Sequence, residues 1–166
     1  MKKKHIMKKY LLLLSFILLA GLPTLLQAQQ DAVMPPIKQY YNATAHKHIY
    51  TTNPNELGAG KDGYVFQKNI GRLNYQYNPS SGEVIYRFFN SSSGGHYLTT
   101  HVNIFPKGYH LEGPQGCSKI IPLQNPTVPI YEYYSSAYDD FYYSDQQVSP
   151  GSGYVLNGVA FTAYTL

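Results

Sequence analysis

Short runs in which aromatic or aliphatic residues alternate with polar ones recur along the chain, and no amphipathic helix of useful length competes with them. Ile85-Tyr86-Arg87-Phe88-Phe89-Asn90 and His96-Tyr97-Leu98-Thr99-Thr100 are typical, rich in strand-forming side chains and bounded by Ser, Gly, Asn and Pro. The pattern predicts four strands in each of three segments. In the first they are Lys38 to Asn42, His48 to Thr52, Tyr64 to Gln67 and Leu73 to Tyr77. In the second they are Ile85 to Asn90, His96 to Thr100, Tyr109 to Glu112 and Lys119 to Leu123. In the third they are Ile130 to Tyr134, Phe141 to Ser144, Tyr154 to Asn157 and Ala160 to Thr165.

The segments are copies of one another. Tyr40-Tyr41-Asn42, Phe88-Phe89-Asn90 and Tyr133-Tyr134-Ser135 lead to His48-Ile49-Tyr50-Thr51, His96-Tyr97-Leu98-Thr99 and Phe141-Tyr142-Tyr143-Ser144. Each copy closes on a Gly-Tyr pair, and Tyr64, Tyr109 and Tyr154 stand 45 residues apart. The copies span residues 37–77, 84–123 and 130–166, with Asn78-Pro79 and Asn125-Pro126 at matching joints. One copy cannot bury its own apolar face, so three are expected to share a core. The expected fold is all-β and β-trefoil-like: three repeats of four strands around a pseudo-threefold axis, closed into a barrel that leaves no exposed edges. Another threefold β assembly, or a sandwich, is the alternative.

Charge changes the picture at the N-terminus. Lys2, Lys3, Lys4, Lys8 and Lys9 precede an apolar run from Tyr10 to Ala20, with Pro23 and a small residue at Ala28 following. This reads as a signal peptide over residues 1–28 and a short lead-in over 29–36, so the protein is expected to be secreted or periplasmic. The run is shorter than the ~20 residues of a spanning helix, so no membrane span is expected in the mature chain. The formal charge of +4 belongs to the leader: without its five lysines, eight Lys and Arg face nine Asp and Glu. Near-neutral charge argues against a nucleic-acid partner. Cys117 is the only cysteine, so no intramolecular disulfide can form and cohesion must come from burial.

Comparing copies weighs the candidate chemistry. His46 and His48 are two apart, which would set both on one strand face within reach of a metal. Yet His48 is matched by His96 and then by Phe141, and a slot accepting His or Phe reads as partly buried aromatic; no metal or cofactor is expected. Glycoside hydrolysis would need two carboxylates across a cleft, for which Glu132, Asp139, Asp140 and Asp145 are the available donors, but nothing in their spacing singles out a pair. The chain is therefore read as no enzyme. Asn42 and Asn90 open the matching connections, each as a glycosylation sequon not expected to be modified, and can bond back to the loop backbone. Tyr138-Asp139-Asp140 makes the third connection the best equipped for a ligand. Aromatic faces beside amides and acids suit sugars, so the expected function is non-catalytic binding of a glycan or cell-surface polysaccharide. Asn42, His46, His48, Asn90, His96, Tyr138, Asp139 and Asp140 are the candidate contacts. A protein-binding or inhibitory role against a protease or host partner is the alternative.

The second copy, with Tyr86-Arg87-Phe88-Phe89-Asn90, Gly95-His96-Tyr97-Leu98-Thr99-Thr100 and Gly108-Tyr109-His110-Leu111-Glu112-Gly113, resembles a tandem repeat of unknown function found in bacterial secreted proteins. The first copy keeps Tyr41-Asn42 and His48-Ile49-Tyr50-Thr51-Thr52; the third keeps Tyr133-Tyr134, Tyr142 and Gly153-Tyr154. The resemblance implies a secreted, non-catalytic module of the kind often found beside cell-wall or polysaccharide hydrolases. It supplies no catalytic residues. This chain departs from the repeat in carrying tyrosine where a Gly-Trp tryptophan is usual and in losing the third histidine.

Overall fold

The computed structural model describes residues 34–75, 82–118 and 126–166. The expected signal peptide, residues 29–33 of the lead-in, the strand expected at Lys119 to Leu123 and the end of that expected at Leu73 to Tyr77 lie outside the described residues. Those described form ten strands and no helix: β1 Pro36–Asn42, β2 Lys47–Thr51, β3 Gly60–Lys61, β4 Tyr64–Arg72, β5 Val84–Asn90, β6 Gly95–Thr99, β7 His110–Cys117, β8 Thr127–Ser135, β9 Asp140–Ser144 and β10 Val155–Tyr164. None of them is a helix long and apolar enough to cross a membrane.

Each copy contains three antiparallel strands in which a hairpin is joined by a third strand on the far side of its first, giving β2-β1-β4, β6-β5-β7 and β9-β8-β10, with the short β3 pairing with β4 in the first copy. The hairpin registers coincide, with Tyr41 opposite His48, Phe89 opposite His96 and Tyr134 opposite Phe141. The paired aromatics split as alternation requires: Tyr40, Phe88 and Tyr133 are buried, while Tyr41, Phe89 and Tyr134 stack on the ring opposite at 4.5, 4.8 and 4.6 Å.

Two expectations are corrected. The third and fourth strands expected in the last copy are not separate, because the residues between them bulge instead of turning; in the first copy β4 ends at Arg72 and Asn74 forms an isolated bridge to Cys117. In the third copy the register shifts between Leu156 and Gly158 and again between Val159 and Phe161, so Asn157-Gly158 lies within one long β10. Matching shifts bend β4 against β1 and β7 against β5. Among the described residues the strands also do not close into a barrel. The first and third copies join where Tyr164 of β10 meets Arg72 of β4, the second keeps its own sheet, and the larger sheet ends at β2 and β9.

The copies instead meet through their second strands. β2, β6 and β9 each touch the other two, and they are the most completely buried strands. Tyr50, Leu98 and Tyr143 hold the same register position at that meeting point. The Tyr50 hydroxyl accepts the Tyr143 backbone N–H at 2.8 Å, and the Tyr143 hydroxyl accepts that of Leu98 at 2.9 Å. Leu98 has no hydroxyl with which to continue toward Tyr50, and Arg87 takes its part by donating from Nη1 to the Tyr50 carbonyl at 3.0 Å. Burial pushes both phenols well above their ordinary values, so they stay neutral. Tyr143→Phe should therefore cost about 1–3 kcal/mol, the penalty for stranding a buried N–H, as read by denaturant unfolding.

Candidate functional site

The connections between paired strands are built as turns. The residue before each second strand sits near the left-handed region: His46 at φ 53°, Gly94 at 75° and Asp139 at 46°. Asn42 Oδ1 accepts the N–H groups of Thr44 and Ala45, both at 3.0 Å, while its Nδ2 donates to the Asp62 carbonyl. Asn90 Oδ1 accepts from the Ser92 N–H at 3.0 Å. Both asparagines thus shape their own turns.

The next position brings Lys47, Gly95 and Asp140 together where the copies converge. Lys47 Nζ donates to the carbonyls of Tyr138 and Asp139. Burial lowers the pKa of this lysine, against the opposing pull of Asp140 and Asp139. At Gly95 a Cβ would fall 2.7 Å from the Asp139 carbonyl, so no larger residue fits without displacement. Asp139 itself accepts from the Tyr134 hydroxyl at 2.9 Å and faces that of Tyr109 at 3.4 Å.

Asp140 corrects the expectation of an open acidic loop, because it is fully buried. Its Oδ1 accepts the His48 backbone N–H at 2.7 Å. Its Oδ2 lies 2.6 Å from His48 Nδ1 and accepts the Tyr154 hydroxyl at 2.6 Å. Three protein donors meet the carboxylate, which fixes the His48 ring with Nδ1 turned inward. His48 is 7% exposed, and its Nε2 has no protein partner among the described residues. Tyr138 stacks on His46 at 4.5 Å, both on the surface.

The open space lies between copies. Gln39, Arg87 and Glu132 share one register position, opposite Tyr50, Leu98 and Tyr143, and their other neighbours are Lys68, Gly113 and Gly158. Each faces the hairpin of a neighbouring copy, yet the three junctions differ. Between the first and third copies is a cleft of about 460 Å³ lined by Gln39, Tyr41, His48, Gln67, Lys68, Tyr142, Pro150 and Tyr154. Tyr142 meets His48 edge-on at 5.2 Å, and Lys68 reaches across to Asp145 at 2.8 Å. Gln39 is the most buried residue of the lining at 3% exposure, and its Oε1 has no partner among the described residues.

Between the second and first copies the same space is filled. Arg87 donates from Nε to Glu112 and from Nη2 to Glu56, both at 2.6 Å, and Thr52 bonds the Gln115 backbone carbonyl at 2.6 Å. His96 is buried here with Nδ1 unpartnered among the described residues, so it is not placed to contact a ligand as expected. Burial, reinforced by Arg87, holds its pKa down to about 3, against an ordinary 6.5. The folded state keeps the ring neutral while the unfolded chain takes up a proton below about 6.5, so stability should fall as pH drops from 6.5 toward 3. One such proton contributes a slope of up to about 1.4 kcal/mol per pH unit. His96→Phe, which installs the residue of the third copy, should flatten that slope in pH-dependent unfolding.

The junction of the third and second copies holds a smaller cleft of about 230 Å³, with Glu132 and Asn157 on one side and Tyr97 to His101 on the other. The residues lining the cleft between the first and third copies were not singled out from sequence, apart from His48. Their signal is a contrast between copies: the position two before the stacked ring reads Gln, Arg and Glu within otherwise repeated surroundings.

A family model described as Domain of unknown function (DUF5648) matches residues 36–164. No curated protein and no solved structure matches the chain.

Proposed function

The chain belongs to the DUF5648 family, whose function is unknown, and we propose that it is a non-catalytic carbohydrate-binding module whose main site is the cleft between its first and third copies. The observation that carries this reading is the lining itself: the rings of Tyr41, Tyr142 and Tyr154 stand around Gln39, whose Oε1 has no protein partner among the described residues. Tyrosine rings cover the C–H faces of a sugar, and Gln39, Gln67, Lys68 and His48 Nε2 supply donors and acceptors for its hydroxyls. The volume falls within the ~300–1,000 Å³ of small-ligand sites. His48 is oriented by Asp140 and binds in place; no bond is made or broken. The site would act outside the cytoplasm, where the basic and apolar leader would direct the chain.

Pull-down on a panel of insoluble polysaccharides, followed by calorimetry with soluble oligosaccharides of the retained class, tests the reading. Tyr142→Ala should weaken binding at least about tenfold, ~1.4 kcal/mol, with folding intact by circular dichroism. Retention of no polysaccharide, or full affinity in Tyr142→Ala, would overturn it. A purified protease or host protein bound at nanomolar affinity without competition by sugar would point to the protein-binding alternative instead.

A further inference from the structure

The three junctions are versions of one site that have diverged in charge. In the cleft between the first and third copies the variable position is the neutral Gln39, Lys68 stands beside it, and Tyr142 presents its ring from the neighbouring copy. At the smaller cleft the matching residues are Glu132, Gly158 and Tyr97. The ring is kept, the amide of Gln67 has its counterpart in Asn157, the cation is gone, and a carboxylate replaces the glutamine. At the third junction Arg87 occupies the space with its own acids.

Glu132 is held in place without being used up. Asn157 Nδ2 donates to Oε1 at 2.8 Å and the Tyr143 hydroxyl lies 2.9 Å from Oε2, one protein partner per oxygen. Each carboxylate oxygen accepts about two hydrogen bonds, so both have capacity left for a ligand. No lysine or arginine lines this cleft, and His101 at its rim is exposed. A fixed carboxylate beside a ring and an amide, with no lysine or arginine to neutralise it, is suited to a ligand with an ammonium group on a polyhydroxylated ring.

We infer that the cleft between the third and second copies is a second binding site, for amino sugars bearing a free amine, with Glu132 as the ammonium acceptor and Tyr97 as the stacking ring. It rests on the reading of the larger cleft only for the class of ligand, since its charge preference comes from its own residues. The protein then carries two unlike sugar sites, and the Arg87 junction carries none.

Calorimetry with short glucosamine oligomers, beside their N-acetylated counterparts, tests this. The wild-type protein should bind the free-amine oligomer at least about tenfold more tightly than the acetylated one, and added salt should narrow the difference. Glu132→Gln keeps the shape and removes the charge, and should abolish that preference. His101→Lys adds a cation at the rim without touching the core and should weaken free-amine binding about tenfold with an unchanged melting temperature. Tyr142→Ala should leave free-amine binding intact, which separates failure of this site from failure of the larger one. Equal affinity for both oligomers, or loss of free-amine binding in Tyr142→Ala with Glu132→Gln unaffected, would overturn the inference.

Discussion

Arg87→Ala is expected to destabilise the protein by about 3 kcal/mol, read as a lower denaturant midpoint at unchanged slope. Arg87 is 7% exposed, and its guanidinium donates to Glu112, to both oxygens of Glu56 and to the Tyr50 carbonyl. Burial works against its charge, but Glu56 and Glu112 outweigh that and raise its pKa. Burial likewise pushes Glu56 up, while hydrogen bonds from Arg87 and Thr51 more than offset it and leave the carboxyl below its ordinary value. Removing the arginine strands two half-screened acids and one buried carbonyl. The full cost of breaking a buried pair, about 3–5 kcal/mol, is reduced because both carboxylates keep some water. Arg87→Lys should recover only part of the loss, since an ammonium cannot fork between two acids and a carbonyl. Because the folded pKa of Glu56 is depressed, its contribution is present above about 4.5 and lost as pH falls through the folded value, in the same direction as that of His96.

Asp140→Ala should have an effect at least as large, about 3–5 kcal/mol, because the carboxylate is fully buried and serves donors from two copies. The His48 ring and backbone N–H and the Tyr154 hydroxyl would all lose their acceptor. Asp140→Asn keeps the volume but offers one oxygen to three donors and turns an NH₂ toward one of them, so it should recover little. His48 would also lose its fixed orientation at the cleft between the first and third copies. Any Asp140 variant that still folds should therefore bind its polysaccharide more weakly than the wild-type protein does. Equilibrium unfolding and calorimetry on the same preparations separate the two effects.

The first two strands of each segment were legible because their alternation is local and repeated three times. Substitution of His by Phe at residue 141 correctly marked His48 and His96 as interior. How the copies meet was not legible. Strand alternation shows which face is buried but not what covers it, so nothing in the pattern distinguished a closed barrel from three hairpins meeting through β2, β6 and β9. The fourth strand of the third copy was misplaced because Asn157-Gly158 has the composition of a turn, and only its register against β8 makes it a bulge. Asp140 misled for a related reason: an acid in a polar loop reads as exposed until its partners, His48 at 92 positions' separation among them, are known. The open cleft lies at a junction between copies, and Gln39, Gln67 and Tyr142 converge there from distant parts of the chain.

The central claim is that this junction, not the turns that open each hairpin, receives the ligand. Side-chain amide resonances of Gln39 and Gln67, followed during titration with the oligosaccharide the protein retains, test it most directly. Saturable shifts at Gln39 and Gln67, with those of Asn42 and Asn90 unmoved, are the predicted result; shifts gathered at Asn42 and Asn90, with Gln39 silent, would contradict it.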